Sequence, residues 1–170
     1  SLMTNLLIIL VSRKEKAMLG KKLFRGKNVQ GVWVYGSLIE DHTTGNCYIL
    51  ESNAEATNQI LINDAGEHIR GRIIPVDKKT VSQYIWAIRS RRYYFYEGDI
   101  VKTSPMHLPI SQPLTTAVII DSSTIIQKGL GLRFPQDTLY YEIIGNIFDN
   151  PDLLDEETAN WVKNYWKGIA

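Results

Sequence analysis

Apolar and polar positions alternate over short stretches through most of this chain. The stretches are bounded by glycine, proline or Asx-rich turns, which is the pattern of half-buried strands. Residues 6–11, Leu6-Leu7-Ile8-Ile9-Leu10-Val11, predict a strand at a sheet edge. Val32-Trp33-Val34-Tyr35-Gly36-Ser37-Leu38-Ile39 predicts another. The turn chemistry of Glu40-Asp41-His42-Thr43-Thr44-Gly45-Asn46 then leads to Cys47-Tyr48-Ile49-Leu50-Glu51 as its hairpin partner. Residues 59–62 and 68–76 predict a second hairpin around Asn63-Asp64-Ala65-Gly66, after a polar loop over 52–58. Asp77 has the character of an N-cap, and Val81, Tyr84 and Ile85 follow at helical spacing, so a short helix is predicted over 77–84. Strands are predicted at 93–96, 99–103, 115–120, 124–133 and 138–148. Asn150-Pro151 predicts a helix start. Ala159, Val162, Trp166 and Ile169 then form one stripe, flanked by Trp161 and Tyr165, for an amphipathic C-terminal helix.

These elements predict a mainly β fold: a β-roll or hairpin lobe plus a small barrel, a short middle helix and the C-terminal amphipathic helix. Residues 97–148 have the length of an SH3-like barrel, opening on Glu97-Gly98-Asp99-Ile100-Val101. The boundaries expected are an N-terminal extension over 1–22, with Ser1-Leu2 as a cloning remnant, a β domain over 23–154 and the helix over 155–170. With 170 residues, 44% of them apolar, the chain is long enough for one domain or for two small lobes sharing a core.

Charge and sulfur narrow the partners. A formal net charge of +1 gives no global field for a polyanion. Seven basic residues stand between Arg13 and Lys27 against Glu15 alone, whereas Asp149, Asp152, Asp155, Glu156 and Glu157 cluster without a base. Two separately solvated clusters, or a contact between the ends within or between chains, both fit this asymmetry. One cysteine, Cys47, excludes an intrachain disulfide and suits a reducing cytoplasm. The apolar run 6–11 is far short of the ~20 residues of a membrane span, so no membrane partner is expected.

Three segments resemble the YopX family of phage and prophage proteins. The first is Phe24-Arg25-Gly26-Lys27 with residues 31–39. The second is Val76-Asp77, Thr80-Val81 and Gln83-Tyr84, followed by Tyr96-Glu97-Gly98-Asp99-Ile100-Val101-Lys102. The third is Ile143-Ile144-Gly145-Asn146-Ile147-Phe148-Asp149-Asn150-Pro151-Asp152-Leu153-Leu154. The resemblance spans residues 23–155 and implies a bacteriophage-derived gene, a bacterial cytoplasmic location and a β-rich fold containing an SH3-like barrel. It implies no activity. Two departures stand out. Ile85-Trp86-Ala87-Ile88-Arg89-Ser90-Arg91-Arg92-Tyr93-Tyr94-Phe95 lacks the glycine- and aspartate-containing loop usual there, and this chain begins earlier than the family's, which makes Met18 an alternative initiator.

Catalytic chemistry is poorly represented. Cys47 lies mid-strand among apolar residues and reads as inert core, with no base beside it. His42, His68 and His107 are scattered without metal-ligand spacing, and His42 near Glu40 and Asp41 reads as a solvated turn. Glu97 and Asp99 could share a face as an acid–base pair, but Gly98 between them points to turn hydrogen bonding. Lys128-Gly129-Leu130-Gly131-Leu132 lacks the third glycine of a dinucleotide loop and reads as a bulge or twist within a strand. No catalytic residue, metal or cofactor is expected. The binding candidates are two. Arg89, Arg91 and Arg92 with Tyr94 and Tyr96 offer phosphate contacts and stacking rings to nucleic acid. Trp161, Tyr165 and Trp166 offer a protein interface or self-association, with packing on the chain's own core as the simpler reading. The expectation is a binding or assembly protein rather than an enzyme, with nucleic-acid binding as the alternative.

Overall fold

The computed structural model describes residues 10–11, 23–51, 59–63, 68–87, 93–106, 114–136 and 138–169. They belong to two compact units divided between Gln83 and Tyr84. The described residues are mainly strand in antiparallel sheets, with one α-helix. The first unit holds β1 (Leu10–Val11), β2 (Phe24–Lys27), β3 (Trp33–Glu40), β4 (Cys47–Glu51), β5 (Gln59–Asn63) and β6 (His68–Val76), together with the first two residues of β7 (Ser82–Ala87). Its strand order is β1-β5-β6-β4-β3-β2-β7. Leu10 and Val11 pair in parallel with Ile62 and Asn63, whereas the remaining ladders are antiparallel. Both hairpins legible in the sequence form: Leu38 pairs with Ile49, and Leu61 with Ile69. The β3–β4 loop is built on Asp41, whose carboxylate accepts the Thr43 N–H at 2.8 Å and the Thr44 hydroxyl at 2.7 Å. Those bonds, the Thr44 hydroxyl first, hold the Asp41 carboxyl below its ordinary value.

The short middle helix does not form as expected. Asp77 does cap, accepting the Lys79 N–H at 3.0 Å, but the cap serves a single 3-10 turn, Lys78–Thr80. From Ser82 the chain is a strand, pairing first with β2 (Phe24 opposite Gln83) and then with β8 (Ile85 opposite Phe95). The cause is tertiary. The Lys27 N–H donates to Thr80 Oγ1 at 2.8 Å, and the Asp77 N–H donates to the Lys27 carbonyl at 2.8 Å, so the turn is fastened to β2 before another helical turn can form. Sheet pairing then outweighs the local spacing of Val81, Tyr84 and Ile85. β2 itself is too short, and too interrupted by Gly26, to show an alternating pattern.

The second unit takes the rest of β7, then β8 (Tyr93–Tyr96), β9 (Asp99–Pro105), β10 (Thr115–Ile119), β11 (Thr124–Gln127), β12 (Leu130–Arg133), β13 (Leu139–Asn146) and α1 (Glu156–Ile169). β9 to β13 form one sheet in the order β12-β11-β10-β9-β13. Its two faces are read from the register. Val101, Ala117, Ile119 and Ile125 point one way and pack with Ile85 of β7, Phe95 of β8, Phe134 and Tyr141. Ile100, Val118 and Ile126 point the other way and pack, with Ile120, under Val162 of α1. Both faces are therefore apolar along β9, β10 and β11, so these strands read as continuous apolar runs rather than alternations. Phe95, Phe134 and Tyr141 meet edge to face at centroid distances of 5.2–6.3 Å, each such pair adding ~0.5–1.5 kcal/mol to its burial.

Two segments depart from the sequence reading. Residues 124–133 are a hairpin, not one strand: Lys128 (φ 49°) and Gly129 (φ 72°) form its two-residue turn. Pro151–Leu153 is a separate 3-10 turn, and the Asn150 side chain does not cap it, accepting the Asn146 N–H instead. α1 starts afresh after Asp155, whose carboxylate accepts the Thr158 N–H and the Thr158 hydroxyl, each at 2.8 Å. Thr158 is fully buried, and its oxygen also accepts the Gly129 N–H at 3.1 Å. One hydroxyl thus joins the helix start to the β11–β12 turn. Burial pushes the Asp155 carboxyl up, but the Thr158 hydrogen bonds outweigh it and leave the carboxyl below its ordinary 3.8. This contribution to stability is present above that value and is lost as pH falls through the lowered folded one. Thr158→Val should lower unfolding free energy in urea by ~1–3 kcal/mol and should weaken that acid dependence. An unchanged denaturation midpoint would count against the joint.

Candidate interaction surface

Two of the residues considered for chemistry, Asp99 and Cys47, occupy buried positions. Asp99 is buried, and its Oδ2 accepts the Tyr96 N–H at 2.8 Å across the β8–β9 turn. Gly98 between Glu97 and Asp99 has φ +83°, donates to the Ile119 carbonyl at 2.8 Å and accepts from the Ile147 N–H at 2.9 Å. A Cβ there would also press on the Ile147 side chain at 3.1 Å. Asp99 and the Gly98 backbone therefore organise a turn. Cys47 is buried. Burial first, and the Glu40 carboxylate second, push its thiol above the ordinary value against the pull of Lys78. A neutral, enclosed thiol is a poor nucleophile. His42 is exposed in the loop where both Asp41 oxygens already take hydrogen bonds from Thr43 and Thr44. Among the described residues, no group of three or more His, Cys, Asp or Glu side chains is placed to hold a metal ion.

Of the nucleic-acid candidates, Arg89, Arg91 and Arg92 lie outside the described residues, as does His107. Tyr94 and His68 sit in strands, with nothing described of their side chains. Tyr96 is a correction: at 5% exposure, with the Tyr84 ring edge-on at 5.5 Å, it offers no face for a base to stack on. In the first unit the Arg25 guanidinium is buried 4.6 Å from the Trp33 ring centroid, and the Lys27 ammonium stands 5.3 Å from the same ring. Cation–π contact of this kind contributes ~0.5–2 kcal/mol and makes the cluster a packing feature of β2 and β3.

The aromatic residues of α1 pack inward. Trp161, Tyr165 and Trp166 all lie against the apolar cluster of Ile100, Val118, Ile120 and Ile126. Trp161 stacks on Tyr165 at 5.0 Å, and Trp166 meets Tyr165 and Phe148 edge-on at 5.2 and 6.3 Å. Burial, then the Glu97 and Asp121 carboxylates, push the Tyr165 phenol above its ordinary value. These three residues close the sheet's second face and remain only partly exposed.

The sheet ends on two strands, β12 and β13, and all four residues of β12, Leu130-Gly131-Leu132-Arg133, are exposed. In a two-residue hairpin the flanking pair, here Gln127 and Leu130, exchanges hydrogen bonds, and bonding then alternates along the ladder. Leu132 therefore bonds back to β11, while the backbone groups of Gly131 and Arg133 point outward. The Arg133 carbonyl accepts from Gln136 Nε2 at 3.2 Å; no strand among the described residues pairs with the outer side of β12. Leu130 (66% exposed) and Leu132 (37%) share the face of Ile125, whose neighbours are Phe134 and Ile119. An apolar face thus runs out uncovered onto an unpaired strand. Natural sheets usually guard such an edge with charge, proline or a bulge. A second exposed apolar feature is the β2–β3 loop in the first unit, where Asn28 Oδ1 accepts from the Gln30 and Val32 N–H groups and Val29 stands 86% exposed. It is a single small tip rather than a surface.

No family model matches the chain, and neither a curated protein nor a solved structure matches it.

The structural assignment of Gly98 and Asp99 has a direct check. Gly98→Ala and Asp99→Ala should each destabilise the fold by ~1–3 kcal/mol in urea denaturation. A variant as stable as the parent would reopen a chemical role for this turn.

Proposed function

We propose that this protein acts by binding another polypeptide strand along β12, as a phage-derived interaction or assembly module rather than as an enzyme. The observation that carries this reading is the exposed, outward-bonding edge of β12 with Leu130 and Leu132 beside it. Strand addition to such an edge takes affinity from main-chain hydrogen bonds and selectivity from alternate side chains. The phage or prophage origin, and the reading of residues 97–148 as an SH3-like barrel, rest on the resemblance of the three segments to YopX proteins. β9 to β12 form a meander and β13 returns beside β9 in one antiparallel sheet, which supports the β-rich part of that reading. That fold hosts many functions, so the edge rather than the barrel carries the functional reading.

Lys128, exposed in the β11–β12 turn, supplies a chemical handle beside the edge. Amine-reactive cross-linking of the protein in a bacterial host, read by mass spectrometry, should join Lys128 to another chain. Leu130→Lys with Leu132→Lys should remove that product by placing charges along the edge. Intermolecular products from Lys78, Lys79 and Lys163 with none from Lys128 would reject this reading.

A further inference from the structure

The β12 edge is complementary to itself, and we infer that its occupant is a second copy of this chain, paired antiparallel about a twofold axis at Gly131. This inference rests on the strand-addition reading above and names the partner. The outward N–H and C=O of Gly131 are those a symmetric pair needs: each copy donates to, and accepts from, the Gly131 of the other. In that register Leu130 of one copy falls opposite Leu132 of the second, and Leu132 opposite Leu130. These are the non-hydrogen-bonded positions of the new ladder, where side chains approach most closely. All four leucines lie on the face that continues from Ile125 and Phe134, so each exposed apolar side chain gains an apolar neighbour.

Charge opposes this register only at its ends. Arg133 falls beside the Lys128-Gly129 turn of the second copy, so one cation of each chain approaches one of the other, a repulsion that salt screens. The two Arg133 positions stand four residues apart along the ladder, ~13 Å, beyond the ~8 Å over which exposed charges act at physiological salt. The contact is isologous, the form that closes as a dimer and leaves no new edge to propagate. Two four-residue strands and four leucines cover less than a standard interface, so the association belongs to the weak, concentration-dependent class, with dissociation constants of ~10 µM to 1 mM.

Sedimentation of the purified chain across that concentration range should show the mean mass rising from one chain towards two. Leu132→Lys should weaken the association at least ~10-fold while leaving the near-ultraviolet circular dichroism unchanged, since Leu132 is already exposed. The register has its own test. Cα atoms of hydrogen-bonded antiparallel partners lie ~5.5 Å apart, within disulfide reach. Gly131→Cys in a Cys47→Ser background should therefore give a folded, covalent dimer under mild oxidation. A parent that stays monomeric throughout, or a folded Gly131→Cys chain that gives no disulfide dimer, would overturn the inference. So would a dimer indifferent to Leu132→Lys. Persistence of cross-links from Lys128 to other host proteins in that case would show that the edge binds a foreign strand, while loss of both would remove the strand-addition reading as well.

Discussion

The second unit depends on burying both faces of one five-stranded sheet with material from its own chain. Ile85 and Phe95 cover one face, and Val162 with the aromatic residues of α1 covers the other. β9, β10 and β11 accordingly carry apolar residues at successive positions, including Ile100-Val101, Val118-Ile119 and Ile125-Ile126, all fully or almost fully buried. At ~1.5–3 kcal/mol for each large apolar side chain removed from water, this double burial dominates the favourable terms. The helix start is set by the same arrangement, because Thr158 binds the β11–β12 turn and Asp155 together. That joint fixes where the hairpin ends, and so how β12 is presented.

Once both faces are taken, affinity for anything else must come from edges and loops. The aromatic residues that suggested a protein-binding helix are occupied against Ile100 and Val118. Asp99, one of the two carboxylates considered for catalysis, holds a turn, and the one thiol is enclosed. β12, one of the two end strands of the described sheet, brings two exposed leucines and outward backbone groups together; β13 ends the other side with Ile143 43% exposed. Both the strand-addition reading and the paired-copy inference follow from that coincidence at β12.

Much of this architecture is legible in the residue pattern, for reasons that can be named. The β3–β4 and β5–β6 hairpins announce themselves through apolar runs around Asx- and glycine-rich turns, and α1 through the stripe of Ala159, Val162 and Trp166. The failures are equally specific. Residues 77–84 carry an N-cap and helical spacing, yet hydrogen bonds from Lys27 to Thr80 and from Asp77 to Lys27, far apart in sequence, decide for a single turn and a strand. The hairpin at Lys128-Gly129 is hidden because lysine seldom adopts a left-handed conformation, so the usual Asn-Gly or Asp-Gly signal is missing. β2 is too short for any periodicity. The β12 edge is hidden for a related reason: a continuous strand over 124–133 contains no turn at 128–129 and so no separate edge strand. The glycines at 129 and 131 carried the signal, one as the turn and the other as a gap in the side-chain row.

In the second unit, the chain's own elements cover both faces of the described sheet, and the proposed contact lies along β12. Residue-resolved amide hydrogen exchange, measured in dilute and in concentrated solution, tests it most directly. The amides of Val101, Val118 and Val162 should be strongly protected in both conditions, while the Gly131 amide should exchange fast when dilute and slowly when concentrated. Gly131 exchange that is independent of concentration, with new protection appearing along α1 instead, would contradict the account.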